Sequence, residues 1–591
     1  RQRQMCIRDR NMRDGGRRGT LLEILDHTHT AMGARLLRRW LERPLTDVNR
    51  IIQRQDGIEE LTGHTTELSQ LEEMLEHVFD FERILTRIEA NTTSPKDLLA
   101  LKASLGMIPE IKKLLSGTVS IVLRKLSDQM DIHSTVYELL DRSMNENGTG
   151  NIRDGKYIKE GYSAELDEVR SLSENSRKWI ADLEEREKEK TGIKLKIGFN
   201  NVFGYYFEIT NANKVPIPEY YMRKQTLVNA ERYITPELKE FETKALSAKE
   251  KTEELELKIY QAVKAAIRPE IAAMQRTAKA LAALDCLTGL SRAALKDRYV
   301  RPQITNSREG RISIHDGRHP MVEHALKREM FVPNDTELNH TDQEMIIITG
   351  PNMAGKSTYM RQVAVLTIMA QTGSFIPAKS ASFAPVDRIF TRVGAADDIS
   401  TGQSTFMVEM KEVSHILCNA TKNSLILLDE IGRGTSTYDG MSIARAVVEY
   451  LNSKVHAYTL FATHYHELSD MAAENEHIKN YTVTVKERGK EITFLRRIVP
   501  GSADKSYGIH VARLAGLPES LLKRADEILE GLEVEGIKEE PAAPVIRRET
   551  ALNLFSSPII DELADLDVMS KTPIEAMEIL FRLSKEAKEG R

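Results

Sequence analysis

The sequence predicts a multidomain chain: an α-helical core, two long helical arms bearing a small β-rich tip, then an α/β domain and a helical C-terminal region. Three observations carry this. At 591 residues the chain is too long for one hydrophobic core, and its length suggests about three to five domains. Charged residues make up 29% and aromatics only 6%, which suits long solvated helices, and apolar positions three or four apart dominate the N-terminal half. The third is Met345–Thr358, MIIITGPNMAGKST, an apolar β-rich run that passes into a Gly-rich loop and then a helix.

The formal net charge is −5, so a nucleic-acid partner has to be met by a local basic patch. Cys6, Cys286 and Cys418 show no pairing pattern, which argues for a reducing compartment and against a metal framework. No stretch approaches the ~18 apolar residues of a membrane span. The N-terminus also lacks a signal peptide's apolar region, so the expectation is a cytoplasmic protein with no membrane partner.

In chain order, residues 1–10 (RQRQMCIRDR) have no periodicity and are expected to be a non-native scar, in which case Cys6 carries no information. Residues 11–162 read as a helical core leading to the first arm, with helical patterns separated by Pro44, Pro95 and Pro109. Ser94-Pro95-Lys96-Asp97 is a helix start, and Asn145–Gly155 is a loop by composition. Residues 163–192 place Leu166, Val169, Trp179 and Leu183 at helical spacing. A second run at Leu238, Phe241, Leu255 and Ile259 begins the returning segment 236–300. Each run is about 30 residues, roughly 45 Å at 1.5 Å per residue. Their order predicts two antiparallel arms carrying a tip domain.

The tip, residues 193–235, alternates in IKLKIGFN and GYYFEIT as a hairpin around Asn200-Asn201, followed by YYMRKQTLVNAERY. Over Ile193–Tyr233 it holds Lys194, Lys196, Lys214, Arg223, Lys224 and Arg232 against Glu208, Glu219 and Glu231, an excess of +3 in a chain of −5. Charge alone allows a merely solvated hairpin; position at the end of long arms favours contact with a DNA backbone. The α/β domain spans 301–500. Two short helices broken at Gly516-Leu-Pro518 occupy 501–535, a linker with Pro541 and Pro544 fills 536–556, and an amphipathic tail covers 557–591.

Gly350-Pro351-Asn352-Met353-Ala354-Gly355-Lys356-Ser357 has the spacing of a P-loop. Backbone N–H groups of such a loop cradle phosphates, Lys356 reaches the β- and γ-phosphates, and Ser357 ligates Mg²⁺. The following helix, from Thr358, points its positive end at the anion. In SLILLDE, Asp429 is placed to hold Mg²⁺ and Glu430 to orient or deprotonate the attacking water; the bland alternative is a buried strand with a solvated edge. Gly432–Gly440 is a Gly-rich loop. His464 ends another apolar run, TLFATHYHEL, and suits a γ-phosphate sensor, although a lone histidine is more often structural. Ser404 and Thr405 begin a helix running from Phe406, either as a plain N-cap or as an anion site.

GPNMAGKST, STFMVEM, LLDEIGRGTSTYDG and FATHYHEL, in this order, with FNNVFGYYFEIT and RKQTLVNAERYITPELKEFE upstream, resemble the MutS family of DNA mismatch-repair proteins. The resemblance runs from about Asn11 to the C-terminus. It implies an ABC-type, Mg²⁺-dependent P-loop ATPase domain, with levers as arms and a DNA clamp as tip. It further implies a homodimer with two composite ATP sites, with assembly to a tetramer left open. Lys356 and Ser357 then hold phosphate and Mg²⁺, Asp429 and Glu430 do metal and water work, and His464 senses the γ-phosphate. Ser404 acts on the opposite protomer's nucleotide, and Phe331, in FVPND, stacks on adenine. Lys224, Gln225, Thr226, Asn229 and Arg232 lie in the clamp. Residues 501–535 resemble the dimerising helix-turn-helix and 557–591 the oligomerisation helices. The implied partners are double-stranded DNA with a mismatch and MutL, in the cytoplasm beside the bacterial nucleoid.

Two departures accompany the resemblance. The family's N-terminal mismatch-reading domain, with its Phe-x-Glu wedge, and its connector domain have no match here, so the expectation is a fragment holding core, levers, clamp, ATPase and tail. Ala551-Leu-Asn-Leu-Phe555 resembles the peptide that binds the replication sliding clamp, but the glutamine that opens it is missing, which favours a plain amphipathic segment. The main reading is therefore a mismatch-repair ATPase, and the alternative a junction-binding ATPase of the same family without mismatch specificity. A transport ATPase shares the nucleotide motifs but would not carry the arms and basic tip.

Overall fold

The computed structural model describes residues 19–536, apart from 149–151, 153–154, 201–203, 307–309, 327–329, 352–353, 394–403, 489–490 and 503–507, together with residue 582. The expected scar, linker, sliding-clamp peptide and tail helices fall outside the described residues, 536 and 582 apart.

Short polar side chains write the helix starts of the N-terminal body. Thr30 accepts from the Gly33 N–H, Asp47 from Arg50 and Asp80 from Arg83. Ser94 and Asp97 form a reciprocal capping box with Pro95 at the first turn of the helix Pro95–Leu115. Pro109 does not end that helix as the punctuation suggested. Its ring sits on the exposed side between buried Ile108 and Ile111, and burial of those neighbours outweighs the loss of one backbone hydrogen bond. Helices Ala31–Glu42, Val48–Gly63, Thr65–Glu76, Phe81–Glu89 and Ile121–Gln129 pack around Ile271–Asp297. That central helix is buried on most sides, down to Asp285. The Asp285 carboxylate accepts from the His29 and Thr30 N–H groups (2.9 and 2.8 Å) and the Thr30 hydroxyl (2.6 Å), which ties the start of Ala31–Glu42 to the centre of the body.

The arms are Ala164–Thr191, 28 residues, and Pro236–Ile267, 32 residues. Ser163 and Thr235 cap them, and Gly192 (φ 70°) ends the first in the left-handed region. Trp179 stacks on Phe241 at 3.9 Å, Arg170 pairs with Glu256, and Arg186 with Glu237. One partner's number rises as the other's falls, so the arms run antiparallel. Between them lies a sheet of β1 (Leu195–Asn200), β2 (Gly204–Thr210), β3 (Met222–Thr226) and β4 (Ala230–Ile234), in the order β1-β2-β4-β3. Leu195, Phe207, Ile209 and Tyr233 form its core, and Leu183 and Leu238 close it from the arms.

Ten strands follow: β5 (Gln303–Ile304), β6 (Arg311–Gly317), β7 (Asn334–Asn339), β8 (Met345–Thr349), β9 (Ser380–Phe383), β10 (Ile389–Arg392), β11 (Leu425–Asp429), β12 (Tyr458–Ala462), β13 (Ile478–Arg488) and β14 (Glu491–Pro500). They build a sheet β5-β9-β6-β7 and a larger one β10-β11-β12-β8-β13-β14. The larger is parallel from β10 to β13, and its strands β8, β11 and β12 are buried at every residue, as near-continuous apolar runs require. Ile348 pairs with Ala462 and Ala462 with Asp429, so the residues that follow all three strands emerge at one edge. The body reaches this domain through paired bonds between Leu45 and Gln371, both 2.9 Å. Residues from Gly516 form a separate unit, in which Glu519–Gly536 is an 18-residue helix, longer than expected because no proline or turn signal interrupts it. Among the described residues no helix is long and apolar enough to cross a membrane.

Candidate functional site

Gly350 (φ 128°) and Gly355 (φ 102°) take left-handed backbone conformations that let the chain turn from β8 into the helix Lys356–Thr372. That helix begins at Lys356, two residues ahead of the expected Thr358. Within the turn the Ala354 N–H donates to the Pro351 carbonyl at 3.2 Å; Asn352 and Met353 lie outside the described residues. Lys356 is 1% exposed and its Nζ donates to the Gly350 carbonyl. Burial pulls its pKa down to about 8, against the upward pull of Glu430 and Asp429. A phosphate placed here restores the charge that burial opposes.

Ser357 Oγ donates to Asp429 Oδ2 at 2.6 Å, while Asp429 Oδ1 is buried with no hydrogen-bond partner among the described residues. Burial, with the nearby Glu430 charge, raises the Asp429 pKa, and the Ser357 hydroxyl and Lys356 pull it back. A hydroxyl and an under-satisfied carboxylate at the foot of a phosphate loop fit Mg²⁺, which binds through one or two protein oxygens, phosphates and water. Among the described residues no group of three or more His, Cys, Asp or Glu is placed to hold a metal.

Glu430 follows directly, at φ 57°, a strained position for a side-chain-bearing residue. Its N–H donates to the Ala462 carbonyl at 2.9 Å, which holds the turn against β12. One carboxylate oxygen meets His464 Nε2 at 2.7 Å and the other pairs with Arg433. Burial works to raise the Glu430 pKa, but the His464 hydrogen bond and the Arg433 charge carry it below the usual glutamate range. An ionised carboxylate so held can take a water proton or fix the water's orientation. The Thr463 N–H donates to Ile348 at 3.1 Å, fixing His464 beside the end of β8.

The structure therefore brings Lys356, Ser357, Asp429, Glu430 and His464 to one sheet edge. Ser404 is the exposed N-cap of the helix Thr405–Asn419, its hydroxyl accepting from the Met407 N–H at 3.2 Å. No hydrogen bond or ion pair among the described residues joins Ser404 or Phe331 to the five. Sequence reasoning missed the intermediaries. Glu409, buried on the Ser404 helix, accepts from the Gly432 N–H at 2.6 Å and lies 3.4 Å from Arg392. Tyr465 donates to the Gly432 carbonyl at 3.2 Å, so the loop after Glu430 is held from two sides. Three residues beyond Phe331, Asn334 donates to the Arg496 carbonyl (3.2 Å) and accepts from the Ile498 N–H (2.7 Å). Arg496, at φ 57°, sits where the β13–β14 register shifts, beside Gly355. The i+3 spacing of Arg433 after Glu430 was a usable signal; the others needed tertiary structure.

At the tip, Lys224 occupies the register shift between β3 and β4 and is exposed, as are Thr226 and Asn229. Two further candidates are already engaged. Arg232 bonds Glu208 at 3.2 Å and Gln225 at 3.0 Å, and its guanidinium lies 4.2 Å from the Tyr206 ring centroid. Arg223 pairs with Glu231 at 2.7 Å. The outward charge therefore comes from Lys194, Lys196, Lys214 and Lys224, for which no ion pair is made among the described residues.

Comparison with known families returns one assignment for both halves. A model of MutS domain III matches residues 3–291 and one of MutS domain V matches residues 346–533. The DNA mismatch repair protein MutS of Caldicellulosiruptor bescii is 49% identical over 582 residues, 96% of this chain and 67% of its own length. That of Clostridium kluyveri is 47% identical over 595 residues, 98% of this chain and 68% of its own, and that of Syntrophomonas wolfei 49% over 575, 97% and 66%. The chain thus spans about two thirds of the length of these relatives. Near-half identity sustained from the helical body through the α/β domain leaves one conclusion: the chain belongs to the MutS family.

Proposed function

We propose that the chain acts in DNA mismatch repair as an ATP-hydrolysing clamp on duplex DNA. The observation that carries the hydrolytic part is the pair of contacts at one sheet edge, Ser357 to Asp429 and Glu430 to His464. In this reading the loop Gly350–Thr358 cradles the phosphates, Lys356 binds the β- and γ-phosphoryl oxygens, and Phe331 stacks on the adenine. Ser357 and Asp429 hold Mg²⁺, which neutralises charge on the phosphate oxygens. Glu430 orients the attacking water and accepts its proton, and His464 contacts the γ-phosphate. Ser404 completes the site of a second protomer in a homodimer or tetramer.

The two arms serve as levers and the tip as the part that grips the DNA backbone through Lys224, Thr226 and Asn229, with Gln225 and Arg232 beside them. Coupling to excision through MutL, in a bacterial cytoplasm, follows from the family. The decisive experiment is equilibrium binding to matched, single-mismatch and four-way-junction DNA, with and without ATP, over a salt series. Duplex binding that responds to ATP supports the clamp. A junction preference over every linear duplex overturns it in favour of a junction-binding member of the family.

A further inference from the structure

The helical body contains a cavity of about 400 Å³, remote in sequence from the nucleotide loop, between the helices Ala31–Glu42, Val48–Gly63, Ile121–Gln129 and Ile271–Asp297. Its lining is basic: Arg35, Arg39, Arg50, Arg54 and Lys279 face one carboxylate, Glu82. Glu82 and Asp80 are spent on Arg35, at 2.8 and 2.5 Å. Among the described residues Arg39, Arg50 and Lys279 have no carboxylate partner.

Arg54 is the built element. Its guanidinium lies 3.5 Å from the centroid of Trp40, and Nη1 donates to the Thr372 carbonyl at 2.7 Å. Burial pulls its pKa down to about 9, with Arg50 adding like-charge repulsion, so an anion beside it relieves an existing cost. The Trp40 face and the carbonyl fix the plane of the fork and leave other N–H groups uncommitted, a geometry suited to bidentate contact with oxyanions.

We propose that this cavity is a binding site for a small phosphorylated anion, one carrying two or three linked phosphates. Four cations without a carboxylate, gathered around about 400 Å³, match the compact charge of a di- or triphosphate group. A peptide would have to bring as many carboxylates on separate side chains. The Thr372 bond sets the site at the C-terminal end of the helix that begins at Lys356.

The test uses the full chain with ADP and Mg²⁺ saturating the nucleotide loop, and inorganic tripolyphosphate as probe. The chain has two tryptophans, so Trp179→Phe leaves Trp40 as the only reporter. The expected result is a saturable, salt-sensitive change in Trp40 emission, with affinity lowered about tenfold, or ~1.4 kcal/mol, in Arg50→Gln/Lys279→Gln. Calorimetry on the unsubstituted chain is the second measurement and does not depend on how the variants fold. No saturable binding there overturns the proposal, as does equal affinity in the double variant. A Trp40 response to duplex DNA or a polyglutamate peptide but not to tripolyphosphate overturns it in favour of a macromolecular ligand.

Discussion

Lys356 and Lys224 are the same side chain used in opposite ways. Lys356 is 1% exposed at the end of a buried sheet, where burial opposes its charge and the neighbouring carboxylates of Glu430 and Asp429 sustain it. Lys224 stands in solvent at a register shift of the tip sheet. The first exerts a strong, directional pull at short range, because its charge is only partly screened by water. The second contributes by number, alongside Lys194, Lys196 and Lys214, in a field that salt weakens. A tight site for one compact ligand is built the first way, and a grip on a long uniform polyanion the second.

The largest expected effect falls on the sheet edge. Glu430→Ala should lower kcat for ATP by about 10²–10⁴ while nucleotide affinity holds, since general-base assistance is worth that much; steady-state turnover beside equilibrium nucleotide binding checks both halves. A smaller loss, in affinity, is expected for Lys356→Ala: about 10–100-fold for ADP and ATP, from one charge-assisted bond of ~1.5–3 kcal/mol. Retained affinity in that variant would erase the contrast with Lys224.

The pH dependence sharpens the comparison. The free Lys356 pKa lies near 8, below its unfolded value of 10.5, and a phosphate bound beside it should pull it back up. Nucleotide affinity should then fall about tenfold per pH unit above 8, with proton uptake on binding seen by calorimetry in buffers of different ionisation enthalpy. In the free chain the sign is opposite: the unfolded state binds more protons between these values, so Lys356 adds stability as pH rises through 8 towards 10.5. The smallest effect belongs to the tip. Lys224→Ala should reduce the slope of log K against log[salt] by about 0.9 and weaken matched and mismatched duplexes equally. A sequence-dependent loss would mean that Lys224 does more than meet phosphate.

What could be read from residues alone depended on how local the physics is. The strand that ends at Thr349, the helix that begins at Lys356, the Ser94 capping box and the two long helices Ala164–Thr191 and Pro236–Ile267 follow from local patterns of the chain, and the structure contains those elements. Pro109 misled because a local rule was outweighed by burial of Ile108 and Ile111 against distant helices. Gln225 and Arg232 looked free in sequence, yet the β3–β4 register sets them against each other, and a register is a long-range fact. Glu409 was equally invisible: its bond to Gly432 spans 23 residues and joins two segments that read separately as a helix and a Gly-rich loop.

The tip sheet shares its core with the arms. Leu183 and Leu238 are 1% and 0% exposed, and both belong to helices rather than to the sheet they seal. Leu238 sits in the first turn of the returning arm and Leu183 about two turns before the end of the outgoing one, so fraying of either arm at its tip end opens that core, and opening the core removes what holds the arm ends together. Tip and arm ends should therefore exchange their amide hydrogens as one cooperative unit, with protection set by a single sub-global opening. Any partner that clamps the tip would slow exchange along the distal arms without touching them.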